Sequence, residues 1–519
     1  MTSTEVLPKE LPKSEGSPAP KKELTKEEKE KQERSLRPYW YPSEVGEQNP
    51  ELPKILSNVT RYSPLTTLID LIVKITIALL LCGLGYLALH QLYSVYNPQY
   101  PLFSQENNTF LYAAAGAIFL VFAVTVWYFS ARDPDIFLVG FATATPPKEY
   151  RVTQKEFAQY THDIKVFNPE SLAFLERMIP RTGLGDETAL PHAFKSIPPD
   201  DSYKEGRDEL EVSIRLACDE LFKANKIDPT KDIDFIVSNC SMFAPTPSLA
   251  AMIMNIYKVK TTCKNYSLGG MGCSAGLISL DLARDILRCY KNVNVLVYST
   301  ENITRGWYGG QVRGKLLSDT LFRMGGAAIL LSNKPKYRFS APYKLMTTVR
   351  ISHCKFDDAY HSIFQDEDDQ GIVGTKIGRE LFKCVSRALL SNLNVLMPQV
   401  MSWRDILRYA YDLLLHKIGK RGKQDMFKPN FRETFQGFCI HAGGRAIIDG
   451  LQENMELTDE DCYPSRAALY RFGNTSSSSV WYEFKFMERV QTLKKGDTVL
   501  QIGFGSGLKC NSVVWKKIN

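Results

Sequence analysis

The chain of 519 residues lacks any closely spaced pair of cysteines. Its eleven cysteines are at least ten residues apart and form no CxxC motif. This spacing excludes zinc knuckles and thioredoxin-like redox motifs. We also recognise no secretory signal peptide. Separated cysteines without such a signal predict reduced thiols in a cytosol-facing protein, one of which could act as a nucleophile.

A strong excess of one charge sign is also missing. Lys and Arg number 64 against 57 Asp and Glu, which leaves a net charge of +7. So small an excess gives no electrostatic footprint for nucleic acid, and we expect no nucleic-acid partner. Hydrophobic residues make up 44% of the chain and charged residues 23%, which is typical of a globular protein with a large core.

Long apolar runs occur near the N-terminus only, at about residues 65–89 and 110–130. Each reaches the roughly 20 residues that a helix needs to cross a bilayer. The loop of residues 90–109 has no Lys or Arg, whereas the polar tail before the first run has eleven, which predicts that both flanks face the cytosol. We therefore predict a disordered tail (1–62) and a transmembrane hairpin (63–132). Two buried core helices are the alternative.

The rest of the chain, residues 133–519, alternates strand-like and helix-like segments and predicts an α/β fold. Apolar strands are predicted over Asp232–Ser241 and Asn292–Ser299. Between them, the segment Gly276–Leu287 has apolar residues along two sides of a helix. A helix that is apolar on two faces is typically buried between layers, which favours a sheet-helix-sheet stack.

The glycine-rich segment LGGMGCSAG, residues 268–276, contains the candidate nucleophile Cys273 directly before that helix. The positive end of a helix favours the thiolate form of a cysteine. A small buried cysteine in a packing turn is an equally simple interpretation. The same letters fit the G-x-S-x-G elbow of α/β-hydrolases, which would make Ser274 the nucleophile instead.

Two further clusters could supply polar groups. His441 in FCIHAGGR and Asn474 in RFGNTSSSS are both predicted at junctions between a strand and a helix. A thiolate with two neutral N–H donors could stabilise an enolate or an oxyanion. The segment Gly503–Gly507 follows a strand, but only twelve residues remain after it, so it cannot be a dinucleotide fingerprint. We predict a loop that lines the site, with a simple hairpin turn as the alternative.

Taken together, these motifs resemble the plant-type 3-ketoacyl-CoA synthases, which are membrane-bound condensing enzymes of very-long-chain fatty acid elongation. The resemblance also includes RTGLGDET (181–188), NCSMFAPTPSLAAMI (239–253), STENITRGWY (299–308) and LFRMGGAAILLSN (321–333). It implies the thiolase-like fold, five αβαβα layers built from two similar halves at about 133–335 and 336–519.

The resemblance also implies the chemistry. Cys273 would accept an acyl group from a long-chain acyl-CoA, and His441 and Asn474 would assist decarboxylation of malonyl-CoA. His353 would belong to the same site. Backbone N–H groups of Cys273 and of Gly503, Phe504, Gly505, Ser506 and Gly507 would stabilise an oxyanion. No metal ion and no redox cofactor would be needed beyond the two CoA substrates.

The expected setting is the endoplasmic reticulum membrane, with the catalytic domain in the cytosol. The resemblance implies a homodimer, and the pathway implies a ketoacyl reductase, a hydroxyacyl dehydratase and an enoyl reductase as partners. The last four residues also have the form of a dilysine retrieval signal. Gly437 and Tyr470 occupy positions where plant members usually have histidines, and we predict that these are supporting positions. A type III polyketide synthase and a serine thioester hydrolase remain alternative functions.

Overall fold

The computed structural model describes residues 133–419 and 429–519. The predicted tail (1–62) and hairpin (63–132) lie outside the described residues. Within the two described ranges, no helix is both long enough and apolar enough to cross a membrane.

The strands are β1 (Phe137–Thr143), β2 (Phe235–Asn239), β3 (Lys264–Leu268), β4 (Asn294–Thr300), β5 (Gly326–Ser332), β6 (Tyr343–Ser352), β7 (Ile363–Glu367), β8 (Val373–Ile377), β9 (Gly437–Ile440), β10 (Thr498–Gly505) and β11 (Lys509–Lys517). The helices are α1 (Gln154–Asp163), α2 (Pro169–Met178), α3 (Tyr203–Asn225), α4 (Pro229–Asp232), α5 (Leu249–Tyr257), α6 (Ala275–Cys289), α7 (Arg313–Leu321), α8 (Asp357–Tyr360), α9 (Leu381–Val400), α10 (Trp403–Lys417), α11 (Phe431–Thr434), α12 (Arg445–Asn454), α13 (Asp459–Phe472) and α14 (Ser479–Val490).

Nine of these strands are hydrogen-bonded in the order β3-β2-β4-β5-β1-β6-β11-β10-β9. Strands β1–β5 come from the first part of the chain, and β6 with β9–β11 come from the second part. The two groups meet where β1 pairs with β6, through Phe137 opposite Lys344 and Leu138 opposite Tyr343. Strands β7 and β8 form a separate antiparallel hairpin.

Alternating side chains on the central strands belong to different cores. In β4, Val295 and Val297 pack in one cluster with α6 and α14, whereas Leu296 and Tyr298 pack in another with α3 and α5. In β9, Cys439 joins the α6–α14 cluster, whereas its neighbours join a third cluster with α9, α12 and α13. Since side chains of a strand point alternately to opposite faces, α6 and α14 lie between the two groups of strands. The layers therefore follow the order αβαβα.

Helix α6 confirms the predicted buried helix. Leu277 and Leu280 on one side and Ile278 and Ile286 on the other are all at most 7% exposed. The predicted strands are also present, as β2 and β4. The C-terminal residues are part of this core structure: Lys516 and Lys517 belong to β11, and the Ile518 N–H donates to Pro342 O over 2.9 Å.

Candidate active site

A cavity of about 600 Å³ lies beside the N-terminal end of α6. Cys273, His441 and Asn474 all line it, although 201 residues separate the first from the last. The chain therefore brings the predicted nucleophile and the two predicted N–H donors to one cavity.

Cys273 lies in a single 3₁₀ turn, Gly272–Ser274, that leads directly into α6. Two glycines allow other loops to approach this turn. A Cβ at Gly272, which has φ +64°, would collide with the Ser506 backbone N, and a Cβ at Gly276 would collide with the Ser477 carbonyl. These two glycines therefore serve close packing of protein loops around Cys273.

The expectation of a thiolate at Cys273 is wrong for the free protein. Burial raises the pKa of the Cys273 thiol to about 12, and the nearby Glu301 carboxylate raises it as well. A hydrogen bond from the Ser476 hydroxyl lowers the pKa and is the largest effect after burial, and the backbone N–H of Cys273 itself lowers it slightly. Desolvation of the sulfur outweighs the helix end, so the resting residue is a neutral thiol.

Ser274, the rival nucleophile, does not line the cavity. Its side chain is fully buried, and its hydroxyl donates to Met271 O over 3.4 Å. Gly505 packs so closely against it that a Cβ there would collide with Ser274 Oγ. A hydrolase elbow requires an exposed serine hydroxyl, so this geometry disfavours the serine hydrolase.

His441 follows β9, as predicted, and its backbone N–H donates to Ile502 O over 2.9 Å. The side chain is 3% exposed, and neither ring nitrogen has a hydrogen-bond partner in the described part of the chain. Burial lowers the pKa of His441 to about 4. The ring is therefore neutral near pH 7 and can offer one N–H to a ligand in the cavity.

Asn474 lies between α13 and α14, so the predicted junction between a strand and a helix is wrong for this residue. The chain turns there because Gly473 has φ +72° and ends α13. Asn474 Oδ1 accepts from the Ser476 N–H over 2.8 Å, and Nδ2 donates to Gly443 O over 3.3 Å. These two hydrogen bonds fix the orientation of the amide, with Oδ1 toward the Ser476 N–H and Nδ2 toward Gly443 O.

Sequence reasoning missed Glu301 as a site residue. Glu301 is 3% exposed and lines the cavity. Its Oε1 accepts from the N–H groups of Ser241 and Met242 over 2.8 and 2.7 Å, and its Oε2 accepts from the Ser476 hydroxyl over 3.0 Å. The available signal was its position directly after the buried strand β4, within the quoted STEN motif.

The segment Gly503–Gly507 is both a loop that lines the site and a hairpin turn, which were the two alternatives predicted from the sequence. Its first three residues belong to β10, and the rest turn into β11. Phe504, Ser506 and Gly507 line the cavity, whereas Gly503 and Gly505 are not among the lining residues and instead pack against Leu277 and Ser274.

His353 is not among the residues that line the cavity. Its backbone N–H donates to Leu508 O over 2.9 Å, its Nε2 lies 3.2 Å from Ser391 Oγ, and its ring packs edge-on against Phe356. Burial, with a smaller contribution from the positive charge of Arg387, lowers the pKa of His353. These contacts connect His353 to the β10–β11 turn rather than to the cavity.

The other cavity walls are mostly apolar. They come from α7, the β7–β8 hairpin and the start of α9, with Leu317, Leu321, Phe364, Ile377, Phe382 and Val385 as examples. Four basic residues also line the cavity, namely Arg181, Arg379, Arg445 and Lys509. In the described ranges, no group of three or more His, Cys, Asp or Glu side chains could hold a metal ion.

Two protein-family models and several known proteins match this chain. The model of the FAE1/Type III polyketide synthase-like protein family matches residues 128–418, and the C-terminal model of 3-oxoacyl-[acyl-carrier-protein] synthase III matches residues 432–517. 3-Ketoacyl-CoA synthase 5 of Arabidopsis thaliana is 44% identical over 77% of this chain and 80% of its own length. 3-Ketoacyl-CoA synthase 9 of the same plant is 40% identical over 90% of this chain and 91% of its own.

The chain belongs to the 3-ketoacyl-CoA synthase family. It is therefore a condensing acyltransferase of fatty acid elongation, as its resemblance implied. The type III polyketide synthase domain of Steely1 from Dictyostelium shares the fold, with a TM-score of 0.60 and 17% identity over 74% of this chain and 100% of that domain. The α/β fold of this 3-ketoacyl-CoA synthase is thus thiolase-like.

Proposed function

We propose that this chain joins a long-chain acyl-CoA to malonyl-CoA by decarboxylative Claisen condensation, with Cys273 as the nucleophile. The products are a 3-oxoacyl-CoA two carbons longer, carbon dioxide and free CoA. The observation that carries the proposal is the shared cavity of Cys273, His441 and Asn474, with the serine of the rival elbow outside it. Apolar walls suit the acyl chain, and the basic residues of the same cavity suit the anionic CoA substrates.

In the first step, the Cys273 sulfur attacks the acyl-CoA carbonyl, and CoA leaves with the proton that the thiol gives up. Because the resting thiol has a high pKa, deprotonation must accompany the attack. The Ser476 hydroxyl, which is hydrogen-bonded to Glu301, can rotate and donate to the sulfur as its negative charge develops. Backbone N–H groups of Cys273 and of the Gly503–Gly507 segment would stabilise the oxyanion.

In the second step, malonyl-CoA loses carbon dioxide, and negative charge develops on its thioester oxygen. The neutral N–H of His441 and the Nδ2 group of Asn474 are the donors that would stabilise this enolate. The carbanion attacks the acyl thioester, and Cys273 leaves as a thiolate. A proton taken from solvent then restores the thiol, so protons and electrons balance.

The cellular setting is also a proposal. The apolar runs at 65–89 and 110–130 would anchor the chain in the endoplasmic reticulum membrane, and the domain of residues 133–519 would face the cytosol. The dilysine-like end does not support this location well, because Lys516 and Lys517 belong to β11. A homodimer and the three other elongation enzymes remain the proposed partners.

Purified full chain should be given a long-chain acyl-CoA and labelled malonyl-CoA, with Cys273→Ala and Ser274→Ala as a matched pair. The proposal predicts a labelled 3-oxoacyl-CoA that disappears in Cys273→Ala and persists in Ser274→Ala. Release of free fatty acid that depends on Ser274 would overturn it. A cyclised or multiply extended product would favour the polyketide synthase alternative.

A further inference from the structure

Helix α10 presents an apolar face to the outside of the domain. The side chains of Trp403, Leu407, Tyr411, Leu414 and Ile418 recur at spacings of three or four residues, so they lie on one side of the helix and of its C-terminal cap. Each is between 55% and 60% exposed. We call these five residues the outer face of α10.

The sheltered side of the same helix is less apolar than the outer face. It carries Ile406, which packs against the core of the second half, and the partly buried Leu413, but also Asp412, which is only 2% exposed. A surface helix in water normally has the opposite pattern, with its apolar residues inward and its charged residues outward. The continuous exposed apolar face indicates that the outer face of α10 meets an apolar surface rather than water.

Basic residues border this outer face. Arg404 and Arg408 follow along one edge of it, and Lys417 lies at the other edge. Aromatic and leucine side chains on one face with Lys and Arg at its borders are typical of helices that lie in a membrane interface and attract anionic lipid.

We propose that the outer face of α10 lies in the headgroup region of a bilayer that contains anionic phospholipid. This inference rests on the proposed function in one respect, the membrane anchor. The second predicted span ends near residue 130, three residues before the described domain begins, so the anchor would keep the domain at the bilayer surface. Docking of α10 would then fix the orientation of the domain on that surface.

The test uses the full chain in liposomes of phosphatidylcholine and phosphatidylserine. The photoreactive residue p-benzoylphenylalanine replaces Trp403 in one variant and Leu414 in a second, so that failure of one variant to fold leaves the other. Tyr203 and Tyr463, which are 61% and 53% exposed elsewhere on the domain, are the matched control positions. After illumination, mass spectrometry identifies adducts with phospholipid or protein.

We expect several-fold more phospholipid adduct at 403 and 414 than at 203 and 463, and less adduct when phosphatidylserine is omitted. Adducts to a second copy of the chain, no adduct, or equal labelling at the control positions would overturn the proposal. Carbonate extraction of the same liposomes tests the anchor separately. A chain that resists extraction but gives no lipid adduct at 403 or 414 contradicts the docking alone, whereas a chain released by carbonate contradicts the anchor.

Discussion

The Ser476 hydroxyl donates to Glu301 Oε2 over 3.0 Å, beside the thiol of Cys273. A hydroxyl has one proton to donate, so while Glu301 accepts it, Ser476 can only accept from the thiol. When the thiolate forms, the same hydroxyl can rotate and donate to the sulfur. The pair therefore influences how readily Cys273 is deprotonated, and the two partners act in opposite directions.

Glu301→Gln should make Cys273 more reactive, and Ser476→Ala should make it less reactive. The first change removes a negative charge that raises the pKa of the thiol, and the second removes a hydrogen bond that lowers it. Alkylation of the Cys273 peptide by iodoacetamide, followed by mass spectrometry at pH 8.5, would measure both effects. Equal rates in both variants and the wild type would contradict this coupling.

Asn474→Asp should separate the two steps of the reaction. The new carboxylate keeps the oxygen that accepts from the Ser476 N–H, but it loses the Nδ2 donor and adds negative charge where the enolate would form. We expect decarboxylation of malonyl-CoA to fall about 10²–10³-fold, the typical cost of one oxyanion-hole donor. Intact-mass measurement should still show acylation of Cys273, and loss of acylation with normal decarboxylation would argue against the assigned role.

Titration of His441 should not change the rate of condensation from a preformed acyl-enzyme between about pH 5.5 and 7.5. Burial lowers the pKa of this residue to about 4, so its ring stays neutral over that range and is protonated only as the pH approaches 4. Single-turnover release of carbon dioxide measures the rate. An inflection near pH 6.5 that disappears in His441→Gln but persists in His353→Gln would show that His441 titrates normally.

Much of this site could be read from the sequence, and the missing parts share a physical cause. Helix α6 was predictable because the spacing of its apolar residues along the sequence shows both apolar faces. The pKa of Cys273 could not be predicted, because the burial that raises it depends on the distant loops that contain Ser477 and Ser506. Glu301 was missed for the same reason, since its partner Ser476 is 175 residues away. Local patterns identify elements and nucleophiles, whereas packing between distant segments decides their ionisation.

Tyr470→His should leave condensation almost unchanged. Tyr470 is 61% exposed and is not among the residues that line the cavity, although its carbonyl accepts from the Gly185 N–H over 2.7 Å. Gly437 is a less useful site for the same test, because a Cβ there would collide with Met487 Sδ. Steady-state turnover of Tyr470→His, with its melting temperature as a control for folding, measures the effect. A large gain in turnover would contradict the supporting role that we predict.

Glu209 should make the stability of the domain depend on pH. Its carboxylate is 4% exposed and accepts from the N–H groups of Ile303 and Thr304 over 2.8 and 2.9 Å, in the loop that follows Glu301. Burial raises the pKa of Glu209 from 4.5 to about 7 in spite of these bonds. A raised pKa in the folded state means that this group stabilises the fold fully below about pH 4.5 and loses that contribution as the pH rises through 7.

Glu209→Gln removes this titration. Relative to the variant, the wild type should therefore lose about 3 kcal/mol of unfolding free energy between pH 4.5 and 8, since each unit of pKa shift is worth about 1.4 kcal/mol. Glu211→Gln is the matched control, because Glu211 lies on the same helix but its side chain is 45% exposed and pairs with Arg215. Denaturant unfolding at several pH values measures the difference. A constant gap between the wild type and Glu209→Gln would mean that Glu209 stays ionised, held by its two backbone donors.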